Sequence, residues 1–329
     1  MAGVTLVEVT PDDAGMRVDR WFQTHYPQLP FSHLQKMLRA GHVRVDKKRV
    51  RANERLEAGM MVRVPPIVEG KRPQSVINPE DAAFVRSLVI YEDDEVLVLN
   101  KPHGLAVQGG SGTKRHVDGL LKSIPNKKGD APRLVHRLDR DTSGCLLVAK
   151  SRSVAAQLGK TFSSRSARKI YWAVVVGVPN PPQGRISCFL AKRGAGDGEQ
   201  MAVVDKGDEG AQHSMSHYSV IDRAGQQFSW VSLKPVTGRT HQLRVHMLEL
   251  GNPILDDPRY FKLDNWNWTR PDGLGEGLHL HARRLSLRLP SGKKLDVSAP
   301  LPAHMIRTFD QLGFDANMFD AQDMDPEDQ

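Results

Sequence analysis

The chain has 329 residues, 39% of them apolar and 26% charged, and its two cysteines, Cys145 and Cys188, are too few for a disulfide framework and lack metal-ligand spacing. No apolar run reaches the roughly 18 residues of a membrane-spanning helix, and Met1–Arg17 lacks a basic leader followed by an apolar segment. A formal charge of +8 and a pI near 9.5 favour a polyanionic partner, nucleic acid first, and a soluble cytoplasmic protein with no membrane partner is expected.

Residues 1–66 read as one module. Asp12-Asp13 predicts the start of a helix carrying Val18, Trp21 and Phe22 at helical spacing. Ser32 predicts the N-cap of a second helix, with Leu34, Met37 and Leu38 on one face and Gly41 at its end. Val43–Val45 alternates as a strand, Asp46-Lys47-Lys48 turns, and Val62–Val64 alternates again before Pro65-Pro66. Basic charge concentrates here: Lys36, Arg39, Arg44, Lys47, Lys48, Arg49 and Arg51 face a single acid, Asp46, between His33 and Arg51. Residues 67–85, with Gly70, Pro73 and Pro79, read as a linker.

From 86 to 310 the pattern predicts an α+β domain with a mainly antiparallel sheet. Its β-type runs are Val96–Leu99, Leu146–Val148, Tyr171–Val176 and Leu285–Leu289, and Val154–Phe162 has the spacing of an amphipathic helix. Arg193–Gln212, rich in Gly, Asp and Glu, reads as a mobile excursion, and 311–329 as an acidic, solvated tail.

The densest charge in the chain is His136-Arg137-Leu138-Asp139-Arg140-Asp141-Thr142-Ser143-Gly144, hung between Leu134-Val135 and the apolar run Cys145–Ala149. Charge set between core segments must be paired or used, which makes Asp139 the first candidate for chemistry. Asn100–Gly112 is glycine-rich but lacks the Walker and GxGxxG spacings. Lys169-Ile170-Tyr171 heads an apolar strand, and Gly238–His246 sets polar residues on an apolar scaffold. His279 and His281 form an HxH pair beside Arg283-Arg284, read as structural or RNA-facing rather than metal-binding. A hydrolase using Ser143 and His136 is disfavoured, because no GxSxG elbow is present.

Arg17–Phe22, Ser32–Val45 and Leu56–Val62 resemble the S4 RNA-binding domain. That resemblance implies phosphate contacts from Arg17, Lys36, Arg39, Arg44, Lys47 and Lys48. His-Arg-Leu-Asp-x-Asp-Thr-Ser-Gly, together with Gly-Arg-Thr-His-Gln-Leu-Arg, resembles the ribosomal large-subunit pseudouridine synthases of the RluA/RluC/RluD family, nearest the RluC branch through Ala106–Gly112 and His136–Gly144. Departures fall at Gln108, where the family usually has His, and at Asn252–Asp257, where His-Pro-Ile-x-Gly-Asp is common. The resemblance implies a monomer that isomerises uridines in large-subunit ribosomal RNA with no metal or organic cofactor; transfer RNA is the narrower alternative.

Residue by residue, the resemblance makes Asp139 the catalytic nucleophile and Arg244 its bidentate partner, with pairing of Arg244 to Glu249 as the structural alternative. Tyr171 becomes the stacking face and proton relay. Leu243 becomes the apolar wall, Arg137 the filler of the gap left by a flipped nucleotide, and His136 a further substrate contact. Asp141, Thr142 and Ser143 are assigned to the turn. Attack at C1′, attack at C6 of the base and elimination through a glycal all remain open for Asp139. A non-catalytic relative would be expected to have lost Asp139, Tyr171 or Arg244, and all three are present.

Overall fold

Two separate apolar cores organise the chain, one within residues 9–64 and one spread over clusters from 85 to 314. The computed structural model describes residues 3–67, 78–110, 113, 115–126, 129–194, 200–261 and 269–319.

The first unit comprises β1 (Thr5–Glu8), α1 (Val18–His25), α2 (Phe31–Arg39), β2 (Arg44–Val45), β3 (Lys48–Arg49) and β4 (Met61–Val64), with sheet order β1-β4-β2-β3. Helical spacing puts Val18, Trp21 and Phe22 of α1 and Leu34 of α2 into one core with Val43 and Val62. The β2–β3 turn places Asp46 and Lys47 at φ 47° and 67°, the left-handed pair of a two-residue hairpin, and Asp46 Oδ1 accepts from Met61 N at 2.9 Å. Two cap expectations differ from the structure. Pro11–Asp13 forms a separate single turn with Asp13 buried, and Ser32 lies inside α2 behind Pro30 with no capping bond.

The second unit runs α3 (Pro79–Ser87), β5 (Val89–Glu92), β6 (Val96–Lys101), α4 (Val117–Leu120), β7 (Arg133–Leu134), β8 (Ser143–Ala149), α5 (Arg152–Ser163), β9 (Arg168–Val176), β10 (Gln183–Arg193), β11 (Gln200–Val204), β12 (Gln212–Ala224), β13 (Phe228–Pro235), α6 (Gln242–Glu249), β14 (Leu280–Arg288), β15 (Lys294–Ser298), α7 (Ala303–Leu312) and α8 (Ala316–Phe319). The sheet order is β11-β10-β12-β13-β9-β14-β8-β6-β5, with β15 on β14 and β7 on β8. Among the described residues every pairing between these strands is antiparallel except β8 with β14.

Strand β8 is buried along its whole length because both sheet faces are covered. Leu146 and Val148 pack with Leu97 and Leu99 on one side, and Cys145, Leu147 and Ala149 with Val96 and Val98 on the other. Each buried leucine there contributes about 1.5–3 kcal/mol. The same burial pushes the Cys145 thiol up to about 12, which leaves it an inert core group.

Three further expectations meet differences. Residues 79–85 of the stretch read as linker belong to α3, which runs on to Ser87, is capped by Asn78 and is anchored by Val85 in the core of the second unit. Within the expected excursion, Gln200–Val204 forms β11 and pairs with β10; residues 195–199 lie outside the described set. Phe314, placed in the expected tail, is buried against Trp230 together with Phe309 of α7, whereas residues 320–329 lie outside the described set.

Candidate active site

A cavity of about 480 Å³ opens between the loop before β8, the start of β9, the β13–α6 connection and the start of β14. Its walls carry Arg137, Asp139, Tyr171, Leu243 and Arg244, so residues up to 107 positions apart in sequence share one space.

The loop is fixed at both ends. Leu147 N donates to His136 Nε2 at 2.9 Å, and the imidazole stacks on Phe162 of α5 with centroids 4.4 Å apart. Burial, reinforced by the Lys169 charge, pushes His136 down to about 3, so the ring is neutral and Nε2 accepts. His136, grouped with the substrate contacts on sequence, is in the structure the loop's anchor. At the other end Ser143 Oγ bonds His281 Nδ1 at 2.9 Å, and His281 Nε2 reaches Ala299 O at 3.1 Å. Neither residue of that buried pair lines the cavity, and His279, bonded to Thr308 Oγ1 at 2.8 Å, is likewise buried outside it.

Lys101 holds the loop's middle. It is fully buried, and Nζ donates to Pro102 O, Leu105 O and Arg140 O at 2.7–2.9 Å. Burial pushes its pKa down to about 7, against the pull of Asp141 and Asp139. Asp141 bonds its neighbour Arg140 at 2.9 and 3.3 Å rather than the turn backbone.

Asp139 is one-quarter exposed; its Oδ2 lies 3.7 Å from Arg244 Nη1 and 3.9 Å from His241 Nε2. Among the described residues neither carboxylate oxygen accepts a hydrogen bond. The expected bidentate pair is found elsewhere: Arg244 Nε and Nη2 each donate to Asp257 at 2.7 Å. Asp257 Oδ1 also accepts from Arg259 N and Tyr260 N, and the guanidinium lies 5.0 Å above the Tyr260 ring. Glu249 is not its partner. Arg244 is therefore a fully committed cation with one spare nitrogen directed at Asp139.

His241 precedes α6 in a left-handed conformation, φ 52°, which non-glycine residues seldom adopt. Met201 N donates to Tyr260 Oη at 3.1 Å, and Tyr260 Oη shares a hydrogen bond of 2.8 Å with His241 Nδ1. Burial lowers the His241 pKa, although Asp139 opposes this, and Nε2 is the ring nitrogen that faces the carboxylate.

The Tyr171 hydroxyl makes no hydrogen bond among the described residues, and burial together with the Asp139 charge raises its pKa, so it remains a phenol. Leu243, in the first turn of α6, is an apolar wall, and Arg137 is exposed at the mouth. Arg165, Lys169 and Arg239 complete a basic rim. Lys36, Arg39, Arg44, Lys47 and Lys48 lie exposed on the first unit, outside this cavity, and Arg17 pairs with Asp19. Sequence reasoning missed Lys101, His241, Asp257 and Tyr260 as site residues. For Asp257 the Asn252–Asp257 segment was the only signal.

Residues 95–249 match the family model for RNA pseudouridylate synthase, and residues 16–62 match that for the S4 domain. Ribosomal large subunit pseudouridine synthase C of Escherichia coli (strain K12) is 37% identical over 314 residues, covering 94% of this chain and 97% of that protein. The protein of the same name from Vibrio cholerae is 36% identical over 307 residues, covering 92% and 95%. The solved structure of human RNA pseudouridylate synthase domain containing 4 aligns with a TM-score of 0.59 and 29% identity, over 71% of this chain and 97% of that one. The chain belongs to the RNA pseudouridylate synthase family, with an S4 domain at its N-terminal side.

Proposed function

We propose that the protein converts specific uridines to pseudouridine in large-subunit ribosomal RNA, with Asp139 as the nucleophile. The reaction breaks the N1–C1′ bond, turns the uracil, joins C5 to C1′, and moves a proton from C5 to solvent while N1 gains one. It involves no net oxidation. Each open route for the carboxylate requires it ionised and uncovered beside the sugar. The observation that carries the reading is the division of Arg244 between two acids: its fork is spent on Asp257, and its spare nitrogen stands 3.7 Å from Asp139. That nitrogen stands beside the carboxylate without capping the attacking oxygens.

The flipped base stacks on Tyr171 against Leu243, and the Tyr171 hydroxyl, kept protonated, relays a proton rather than acting as a phenolate. Arg137 at the mouth enters the gap left in the RNA, and the basic rim takes backbone phosphates. The printed names of the bacterial relatives support ribosomal RNA as the substrate class, and the S4 domain supports a large structured RNA. Asp139→Asn is expected to abolish pseudouridine formation while leaving RNA affinity nearly unchanged. Pseudouridine mapping of ribosomal RNA from cells with and without the protein identifies the target positions. A normal turnover rate in Asp139→Asn, or an unchanged map, would overturn the reading.

A further inference from the structure

A second cleft, of about 490 Å³, lies where the two units meet. It is lined by Arg17, Arg20 and Arg55 of the S4 side and by Arg133 and Arg152 of the catalytic side, with no acidic residue among its lining. Two carboxylates beside these arginines, Asp13 and Asp19, are already engaged. Asp13 Oδ1 takes Arg152 at 2.5 Å while its Oδ2 takes His25, and Asp19 takes Arg17. Arg55 Nη1 donates only to Gly15 O, and neither the Arg20 nor the Arg133 guanidinium has an ion-pair or hydrogen-bond partner among the described residues. A contact built only to join two domains would pair its charges, since an unpaired, half-buried guanidinium is costly. Burial and the neighbouring Arg152 lower the Arg133 pKa, against the longer-range pull of Asp130, Asp118 and Asp13.

Helix α5 connects this cleft to the active site. Arg152 at its first position lies in the cleft, and Phe162 and Ser163 at its last turn line the catalytic cavity. Its twelve residues span about 18 Å, or roughly five stacked nucleotides of one strand. On the other side only two residues separate Arg133 in the cleft from His136 in the cavity wall.

We propose that the inter-domain arginine cleft binds backbone phosphates of the substrate RNA about five nucleotides from the target uridine, so that both domains grip one strand. The occupant is a polyanion of repeating phosphates, because the cleft offers five forked cations and no carboxylate, and Met16 is the one hydrophobic residue in its lining. Since phosphates carry no sequence, the cleft sets register and affinity, and base recognition is left to the cavity.

The proposal rests on the reading of RNA as substrate, and the test separates the two. Two RNAs carrying the same target uridine are compared, one ending within three nucleotides of it and one extending at least ten on each side. The full-length protein is expected to bind the long RNA more tightly. Arg20→Gln/Arg133→Gln is expected to remove that preference, raising the long-RNA Kd about tenfold and making the salt slope shallower by about 1.5, the loss for two phosphate contacts. Arg20→Lys/Arg133→Lys should restore most of the slope. The exposed Arg20→Gln alone should give about half the change, which keeps the test decisive if the Arg133 variant folds poorly. Unchanged long-RNA affinity and slope in the double variant overturn the cleft and leave the function intact. An equal loss on both RNAs also overturns it, because the effect then comes from the cavity. Failure of the unmodified protein to form pseudouridine in either RNA overturns the functional reading itself.

Discussion

Arg244 faces two carboxylates, and its geometry assigns them different work. Asp257 is 1% exposed and receives the fork, together with two backbone N–H groups; Asp139 receives only the field of the remaining nitrogen. Removing the buried acid should therefore act twice. Asp257→Ala leaves a buried guanidinium uncompensated, an expected loss of about 3–5 kcal/mol by urea denaturation. In the molecules that stay folded, Arg244 can turn its fork onto Asp139 and cover its carboxylate oxygens. Single-turnover rates should then fall far more than RNA affinity; equal losses in both would show that Asp257 merely supports the fold. Asp139, Tyr171 and Arg244 were legible in the sequence because each sits inside a contiguous motif. Asp257 was not, since its pairing with Arg244 depends on how the segment after α6 folds back. His241 was hidden for a related reason: its role follows from a left-handed backbone and from the Tyr260 phenol, neither of which the string of residues displays.

At the scale of elements, the motif glycine at the second position of β8 is explained by the sheet. Gly144 has φ 106°, and a Cβ added there would stand 2.3 Å from the Ala282 carbonyl oxygen of β14. The parallel pairing of β8 with β14 brings the two backbones together at that point, with Ala282 opposite Gly144, and any side chain would push the preceding loop off the sheet. Gly144→Ala is expected to destabilise the fold by several kcal/mol, combining strain at positive φ with a clash against backbone. Gly159 in α5 provides the contrast: a Cβ there meets nothing within 4 Å, so Gly159→Ala should raise stability by up to about 1 kcal/mol through helix propensity. Thermal melts of the two variants should shift in opposite directions, and a shift of the same sign would contradict this account. The long apolar strands were legible because both sheet faces are buried. β11 and α3 were not, because Gly, Asp and Glu surround the first and only Val85 of the second is buried.

At the scale of the whole molecule, the second unit is built around histidines that fold uncharged. His136, His246, His279 and His281 are pushed down to about 3, 4, 4 and 3, burial being the largest cause in each case. Above pH 6.5 all four are neutral whether folded or not, and stability is full. As the pH falls below 6.5 the unfolded chain takes up protons that the folded state refuses until about pH 4 to 3. Each histidine should therefore cost about 1.4 kcal/mol of stability per pH unit in that window. The four together reach about 5 kcal/mol over one unit, a large share of the 5–15 kcal/mol of a typical domain. Urea midpoints measured at pH 7.0 and 5.5 should show this loss. His246 allows the cause to be isolated. Its partner Ser214 Oγ also donates to Cys188 O at 3.0 Å, so His246→Leu removes a titrating group without stranding the hydroxyl. That variant should lose about a quarter of the pH slope, and an unchanged slope would show that His246 takes up its proton equally in both states. Because His136 and His281 hold the two ends of the catalytic loop, acid should release that loop along with the fold, and activity should fall with stability over the same window.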